Sequence, residues 1–348
     1  FFSFFTYCFC VFLCFSTWLR NKHSSNKLKI IINFFLFTIS LSVWTEEYTK
    51  ETWFGDPNLQ GVWTNASLTT LERPDYFESL EISDDAAMTA RQSSEEFNQT
   101  LDNPYAEGET PESGGDVGGY NVAWMDPGSD FFKLNGKYRS SIITYPESGK
   151  LPRRLTRWAI EGPSIYRMFT RADHPEERSL GERCVVGFGS SGGPPMLNVL
   201  YNNHYQIVQS PGYVMIMVEM NHDARIIRLD SDHNPDNMKP WLGDSVGWWE
   251  DQTLVVKTKN HHPQQKFRAA IRHQILMMEG AEVTERFTRV SKDEILYQFE
   301  VNDKKAYRDV WKGEMPLRST ESRIYEYACH EGNYAMANIL AGARAEER

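Results

Sequence analysis

Between Tyr205 and Arg318 apolar and polar side chains alternate in short runs separated by tight polar turns. YQIVQSPGYVMIMVEMNHDARIIRLD reads as three strands, turning at Ser210-Pro211-Gly212 and at Asn221-His222-Asp223. VGWWEDQTLVVKTKN reads as two more around Glu250-Asp251-Gln252. AEVTERFTRVSKDEILYQFEVNDKKAYRDVWKGEMPLR reads as three, turning at Ser291-Lys292-Asp293 and Asn302-Asp303-Lys304. Eight short strands rich in Val, Ile, Tyr, Phe, Trp and Thr predict a mainly β fold, an antiparallel up-and-down meander. Such a meander loses its unpaired edges by closing into a barrel. A barrel of about eight strands either fills its interior or holds one small ligand.

The two faces of each strand are unequal. Ile295, Tyr297, Phe299 and Val301 fall on one face, as do Tyr307, Trp311 and Met315. Tyr213–Met220 is apolar on both, so its outer side needs the N-terminal segment or a second subunit as cover. Glu285 and Arg289 share the parity of Val283 and Phe287, and Asp309 that of Trp311, which predicts charges pointing inward. Inward charges in an apolar lumen are costly unless paired, so they read equally as an internal ion pair and as ligand-orienting groups.

The region from 45 to 200 lacks this regular alternation and reads as an irregular covering layer with short helices. Gly61-Val62-Trp63 opens its first strand and resembles the G-x-W of lipocalin-type barrels, in which the Trp plugs the closed end. Ser83-Asp84-Asp85 before AAMTARQSSEEF predicts a helix with an N-cap and an acidic first turn. Asp102–Gly119 reads as loop, Ser140–Tyr145 as a strand entering a turn, and Leu155–Arg178 as a short helix or loop. The barrel with its C-terminal tail is expected from 201 to 348.

Residues 1–44 form a leader. Phe1–Leu19 is an almost unbroken apolar run, and Arg20, Lys22, Lys27 and Lys29 precede a second one, Ile30–Val43. The order of basic stretch, apolar core and small residues fits a signal peptide cut near Ser42, with a membrane anchor at 1–19 as the alternative. Cys8, Cys10 and Cys14 lie in this leader, and the remaining two cysteines, Cys184 and Cys329, are expected to pair in an exported protein; two separate buried thiols are the alternative. With a net charge of −10 the chain lacks the basic footprint of a nucleic-acid binder. The composition, 41% hydrophobic and 24% charged, is that of a globular protein.

Several motifs tempt and fail. Gly187–Gly193, GFGSSGG, matches both G-x-G-x-x-G and G-x-S-x-G, but each requires a helix to begin at once, and Pro194-Pro195 follows instead. A flexible Gly-Pro loop is predicted. Asp230, Asp232, Asn234 and Asp236 start like a calcium loop but lack its Gly and final Glu. His261, His262 and His273 match no zinc spacing and read as solvated loop residues. Two clusters carry more. Glu219-Met220-Asn221-His222-Asp223-Ala224-Arg225 gathers carboxylates, an imidazole and a guanidinium at a strand end, the elements of an oriented general base, with an Asn/Asp turn carrying a surface salt bridge as the other reading. Cys329-His330-Glu331-Gly332-Asn333 gathers a second set. A Cys184–Cys329 bond would pin that set beside Glu182 and Arg183.

Taken together, GVWTNASLTTLERP, RSLGERC, GPPMLNVLYNNHYQIVQSPGYV, EMNHDARIIRLD, WLGDSVGWWEDQTLVVKT, VTERFTRVSKDEILYQFEV and IYEYACHEGNYAMANILAGARAEE resemble, in this order, a family of exported bacterial proteins. The resemblance implies compartment and fold but no reaction, and adds weight to Glu219, His222, Asp223, Arg225, His330, Glu331 and Asn333. The chain departs from it at Ser231–Pro235, where a Gly-Arg-Pro-His-like turn is usual, and at Trp248-Trp249, where Gly-Arg-Trp is usual. The expectation is an exported, lipocalin-like barrel binding a small, partly apolar molecule against Trp63, Tyr213, Tyr297 and Trp311, with Arg183, His222, Asp223, Arg225, His330 and Asn333 as polar contacts. No cofactor, metal or nucleic-acid partner is expected, and membrane contact only through the leader. One alternative is a cofactor-independent lyase, isomerase or hydrolase with catalytic His222, Asp223, Glu219, His330 and Glu331. Another is a structural envelope protein that assembles, as a homo-oligomer, through an exposed strand face.

Overall fold

The computed structural model describes residues 49–102, 125–154, 172–270 and 272–347. The expected leader lies outside them, as do most of the loop expected at 102–119 and the stretch 155–171. In chain order, β1 (Gly61–Thr64) is followed by β2 (Glu81–Ile82), β3 (Lys133–Leu134) and β4 (Lys137–Arg139), the last three forming a small sheet of their own. Then come β5 (Ile143–Tyr145), β6 (His204–Ser210), β7 (Tyr213–Val218), β8 (Ala224–Leu229), β9 (Asp244–Glu250) and β10 (Thr253–Lys259). A separate hairpin, β11 (Phe267–Ala270) and β12 (His273–Leu276), precedes the long strands β13 (Glu282–Ser291), β14 (Glu294–Asn302) and β15 (Trp311–Ser319).

Nine strands close into a barrel in the order β1, β6, β7, β8, β9, β10, β13, β14, β15. The eight strands of the expected meander are all present. The ninth, β1, comes from the segment expected only to cover them, so the barrel is not confined to 201–348. It pairs with β6 through Trp63↔Tyr205 and with β15 through Trp63↔Ser319. β5 adds to the same edge of β15 nearer its start.

An odd ring cannot alternate strand direction all the way round. One neighbouring pair must be parallel, and it is β8 with β9, so the barrel is mixed and not antiparallel throughout. A parallel pair needs a crossover of a dozen or more residues, and 230–243 supplies it. Asp244, buried at the start of β9, holds this crossover. It accepts hydrogen bonds from Arg228 Nη1 at 2.9 Å, the Asn234 backbone amide at 2.8 Å and Asn234 Nδ2 at 2.8 Å, and its Oδ2 lies 2.8 Å from His233 Nδ1. The polar tip that resembled half a calcium loop is organised by this carboxylate.

The inward faces follow the alternation. Val214, Ile216 and Val218, then Ile295, Tyr297, Phe299 and Val301, then Trp311, Met315 and Leu317 are buried together with Trp63, Tyr205 and Phe287. The interior is thereby packed with side chains. Tyr213 projects the other way and is 51% exposed, so it does not line the interior. Asp309 is exposed too; it lies in the turn before β15 and accepts from the Tyr145 hydroxyl. Trp63 donates from Nε1 to the Leu59 carbonyl at 3.0 Å, and the Arg289 guanidinium lies 4.8 Å from its ring.

Two α-helices are described. α1 (Asp84–Asp102) is one continuous helix whose first-turn amide at Ala86 donates to the Ser83 hydroxyl at 3.2 Å. It packs on a small satellite core of Leu68, Phe77, Ala87 and Phe131. α2 (Tyr334–Glu346) ends the chain. Among the described residues no helix is long and apolar enough to cross a membrane.

Candidate functional site: the plugged mouth of the barrel

The Gly-Pro loop, expected to be flexible, is buried. From Ser190 to Val199 every residue is buried. No helix follows its glycines, in accord with the rejection of a phosphate cradle or nucleophile elbow. It caps one end of the barrel. Gly193 has φ +99°, and a Cβ built there would stand 2.8 Å from Arg225 Nη1. Only a residue without a side chain lets the loop sit this low.

Beneath the plug the lumen is polar. Arg225 of β8 is bonded through Nη1 and Nη2 to both oxygens of Glu285 of β13, at 3.1 and 2.6 Å. The Tyr297 hydroxyl donates to Glu285 at 2.7 Å and accepts from the Met196 amide of the plug at 2.9 Å. Burial opposes charge on Arg225, but Glu285 outweighs it and holds the guanidinium pKa above its usual value. Burial also lifts the Tyr297 hydroxyl well above 10, helped by the Glu285 charge beside it. The inward Glu285 read from strand parity is thus half of an internal ion pair.

A second guanidinium closes the mouth from the side. Arg268 of β11 is 3% exposed and donates to the carbonyls of Gly193 at 2.6 Å and Pro194 at 2.8 Å, and to Gln265 Oε1 at 3.1 Å. His261 and His273 are buried here, not solvated as expected. Burial first, then the charge of Arg268, pushes each imidazole down to about 3, so both are neutral at ordinary pH. Neither ring nitrogen of His261 has a hydrogen-bond partner, nor has the buried Ser190 hydroxyl.

Beside the plug opens a cleft of about 220 Å³. Leu180, Val186, Phe188, Phe267 and Ala269 give it apolar walls, and Glu182, Gln264, Gln265 and Arg268 its polar groups. A larger concavity of about 360 Å³ lies on the outer face of β13, β14 and β15. Its charged groups are matched: Arg286 with Glu250 at 2.6 Å, Lys312 with Glu300 at 2.7 Å, Glu314 with Arg139 at 3.5 Å.

The plug is tethered at both flanks. Cys184 and Cys329 form a disulfide, with Cα atoms 5.7 Å apart. Asn333, at the N-cap of α2, accepts from the Met336 amide and donates to the Glu182 carbonyl at 2.7 Å. Asp223 accepts from the Gly187 amide at 2.7 Å and from Asn221 Nδ2 at 3.2 Å, so its hydrogen bonds go to the plug and its own turn. Burial is the main cause of its raised pKa. His222, His330 and Glu331 are exposed, and Arg183 is half-buried on the tethered loop. Tyr297 and Arg225 belong to the plugged mouth, and Trp311 to the packed interior. Glu219 meets His204, a residue the sequence reading did not single out. The hairpin register that places Tyr205 opposite Val218 also sets 204 opposite 219, so the turn at Ser210–Gly212 carried the signal.

Among the described residues no group of three His, Cys, Asp or Glu side chains is placed to hold a metal ion. These features define a closed mixed β-barrel sealed at one end by a disulfide-tethered polar plug. No family model, curated protein or solved structure matches the chain.

Proposed function

We propose that the chain is an exported, lipocalin-like barrel protein that binds a small, partly apolar molecule at its mouth, in the cleft between the tethered loop and β11. The observation that carries this reading is a contrast within the molecule: the interior is filled by Trp63, Phe287 and Trp311, while apolar walls and a buried guanidinium line the cleft beside the plug. Sites of this kind join mostly apolar lining to a few placed polar groups. Export rests on the order of charges and apolar residues in the leader, on the resemblance to exported bacterial proteins and on the presence of a disulfide, which persists in oxidising compartments.

Native mass spectrometry of the chain purified from its host tests the reading. A co-purifying small molecule is expected on the wild type and absent from Ala269→Trp, whose indole fills the cleft. A bound molecule that survives Ala269→Trp unchanged would move the site elsewhere.

A further inference from the structure

We infer that the molecule taken up by the mouth cleft is an anion, a carboxylate with a short alkyl or single-ring body, seated on Arg268. The inference rests on the cleft being the binding site, as proposed above. Arg268 lines the cleft, yet its three hydrogen bonds go to two carbonyls and one amide oxygen, none of them charged. Its Nε is buried and bonded to nothing in the protein. A guanidinium has five N–H donors, so this one retains donors as well as an unmatched charge.

Among the described residues no carboxylate is bonded to Arg268; Asp223, turned to the plug, is taken up by the Gly187 amide and Asn221. Glu285 is bound through both oxygens to Arg225 and receives the Tyr297 hydroxyl as well. Glu182, the carboxylate of the cleft itself, is engaged by Arg178 at 2.5 Å and by the Ser179 hydroxyl at 2.7 Å. The charged neighbours of Arg268 are a fellow cation, Arg225, and Glu285, whose oxygens are already bonded to Arg225; the imidazoles of His261 and His273 beside it are neutral. Among the described residues Arg268 therefore has no ion-pair partner of its own. A buried charge without a counter-charge is strained toward pairing. Burial, and then the charge of Arg225, push the Arg268 pKa down to about 10, and Glu285 offsets them only in part. Arginine forks and carboxylates fit geometrically, through two parallel N–H···O bonds. The apolar walls at Leu180, Val186, Phe188 and Phe267 leave room for a body of one ring or a short chain.

The test sets benzoate, phenylacetate and hexanoate against their uncharged amides, by calorimetry on the purified chain. Each carboxylate is expected to bind at least tenfold tighter than its amide, and Ala269→Trp to abolish binding of both. Arg268→Met is expected to remove the preference while leaving the amides unaffected. If Arg268→Met does not fold, the salt dependence of wild-type binding takes its place, and carboxylate affinity should fall with added salt while amide affinity does not. Equal binding of acids and amides, lost together in Ala269→Trp, would overturn the anion and leave the cleft standing. Carboxylate binding untouched by Ala269→Trp would overturn both, and so would failure of all six probes to bind.

Discussion

His204 Nδ1 lies 2.8 Å from the Glu219 carboxylate across the hairpin of β6 and β7. The other oxygen of Glu219 accepts from the Tyr325 backbone amide at 3.2 Å, so one carboxylate joins the hairpin to the C-terminal tail. The Glu219 hydrogen bond is the main cause that lifts the His204 pKa above its ordinary 6.5; burial opposes it, and the charges of Glu219 and Asp126 add to it.

The first prediction follows from that shift. The folded protein holds this proton more tightly than the unfolded chain, so the stabilisation is complete below about pH 6.5 and is lost as pH rises through the folded value. Glu219 runs the other way. Burial pushes its pKa up, but the bonds from His204 and Tyr325 outweigh burial and hold it below 4.5, so its contribution is present above 4.5 and lost as pH falls through the folded value. Urea midpoints measured from roughly pH 5.5 to 8.5 should decline on the alkaline side. His204→Gln should flatten that decline, and an unchanged slope in the variant would place its cause elsewhere.

The Arg225–Glu285 pair is fully buried, with side chains 1% and 0% exposed. Removing one member strands the other, so Arg225→Met or Glu285→Leu alone should cost about 3–5 kcal/mol. The double variant should cost less than the sum of the two, because no charge is left behind. A double-mutant cycle on urea unfolding reads the difference; simple additivity would mean that the two side chains do not depend on one another.

Gly193 and Gly212 separate backbone strain from contact. Both have positive φ, +99° and +81°, but a Cβ at Gly193 meets Arg225 Nη1 at 2.8 Å while one at Gly212 meets nothing within 4 Å. Gly212→Ala should therefore cost only the left-handed penalty of roughly 1–2 kcal/mol. Gly193→Ala should lower the melting temperature clearly further, and equal effects of the two substitutions would mean the plug can lift without loss.

The disulfide closes a span of 145 residues. In the chain-entropy model a loop of that length is worth about 5 kcal/mol, as an upper figure. Reduction, or Cys184→Ser, should lower the unfolding free energy read from urea titration by several kcal/mol and raise hydrogen exchange first in residues 181–193. Exchange rising instead in β13 and β14 would show that the tether serves the barrel wall and not the plug.

The barrel wall was legible because period-2 alternation and turn residues are local signals. The strands at 295–301 and 311–317 and the inward Glu285 follow from parity alone, and the pairing of Cys184 with Cys329 from the cysteine count and the expected compartment. What escaped was long-range. The place of β1 depends on partners about 140 and 250 residues away. Once β1 is added the ring is odd, and the parallel pair follows without any local signal. The plug was missed for a different reason: glycines that suit a flexible loop also suit a chain pressed against a guanidinium, and composition does not distinguish them. Arg268 and His273 were hidden likewise, since a short hairpin looks solvated until something covers it.

The ring is shut by a strand of four residues, Gly61–Thr64, whose second neighbour ends at Ser319. During translation this keystone emerges early and waits while its flanking strands are made. Until the ribosome has released Ser319, the sheet hangs open with bare edges that neighbouring nascent chains could pair with. The interval of risk is set by the pace of synthesis, and slowing elongation between β1 and β15 lengthens it without altering a single native contact.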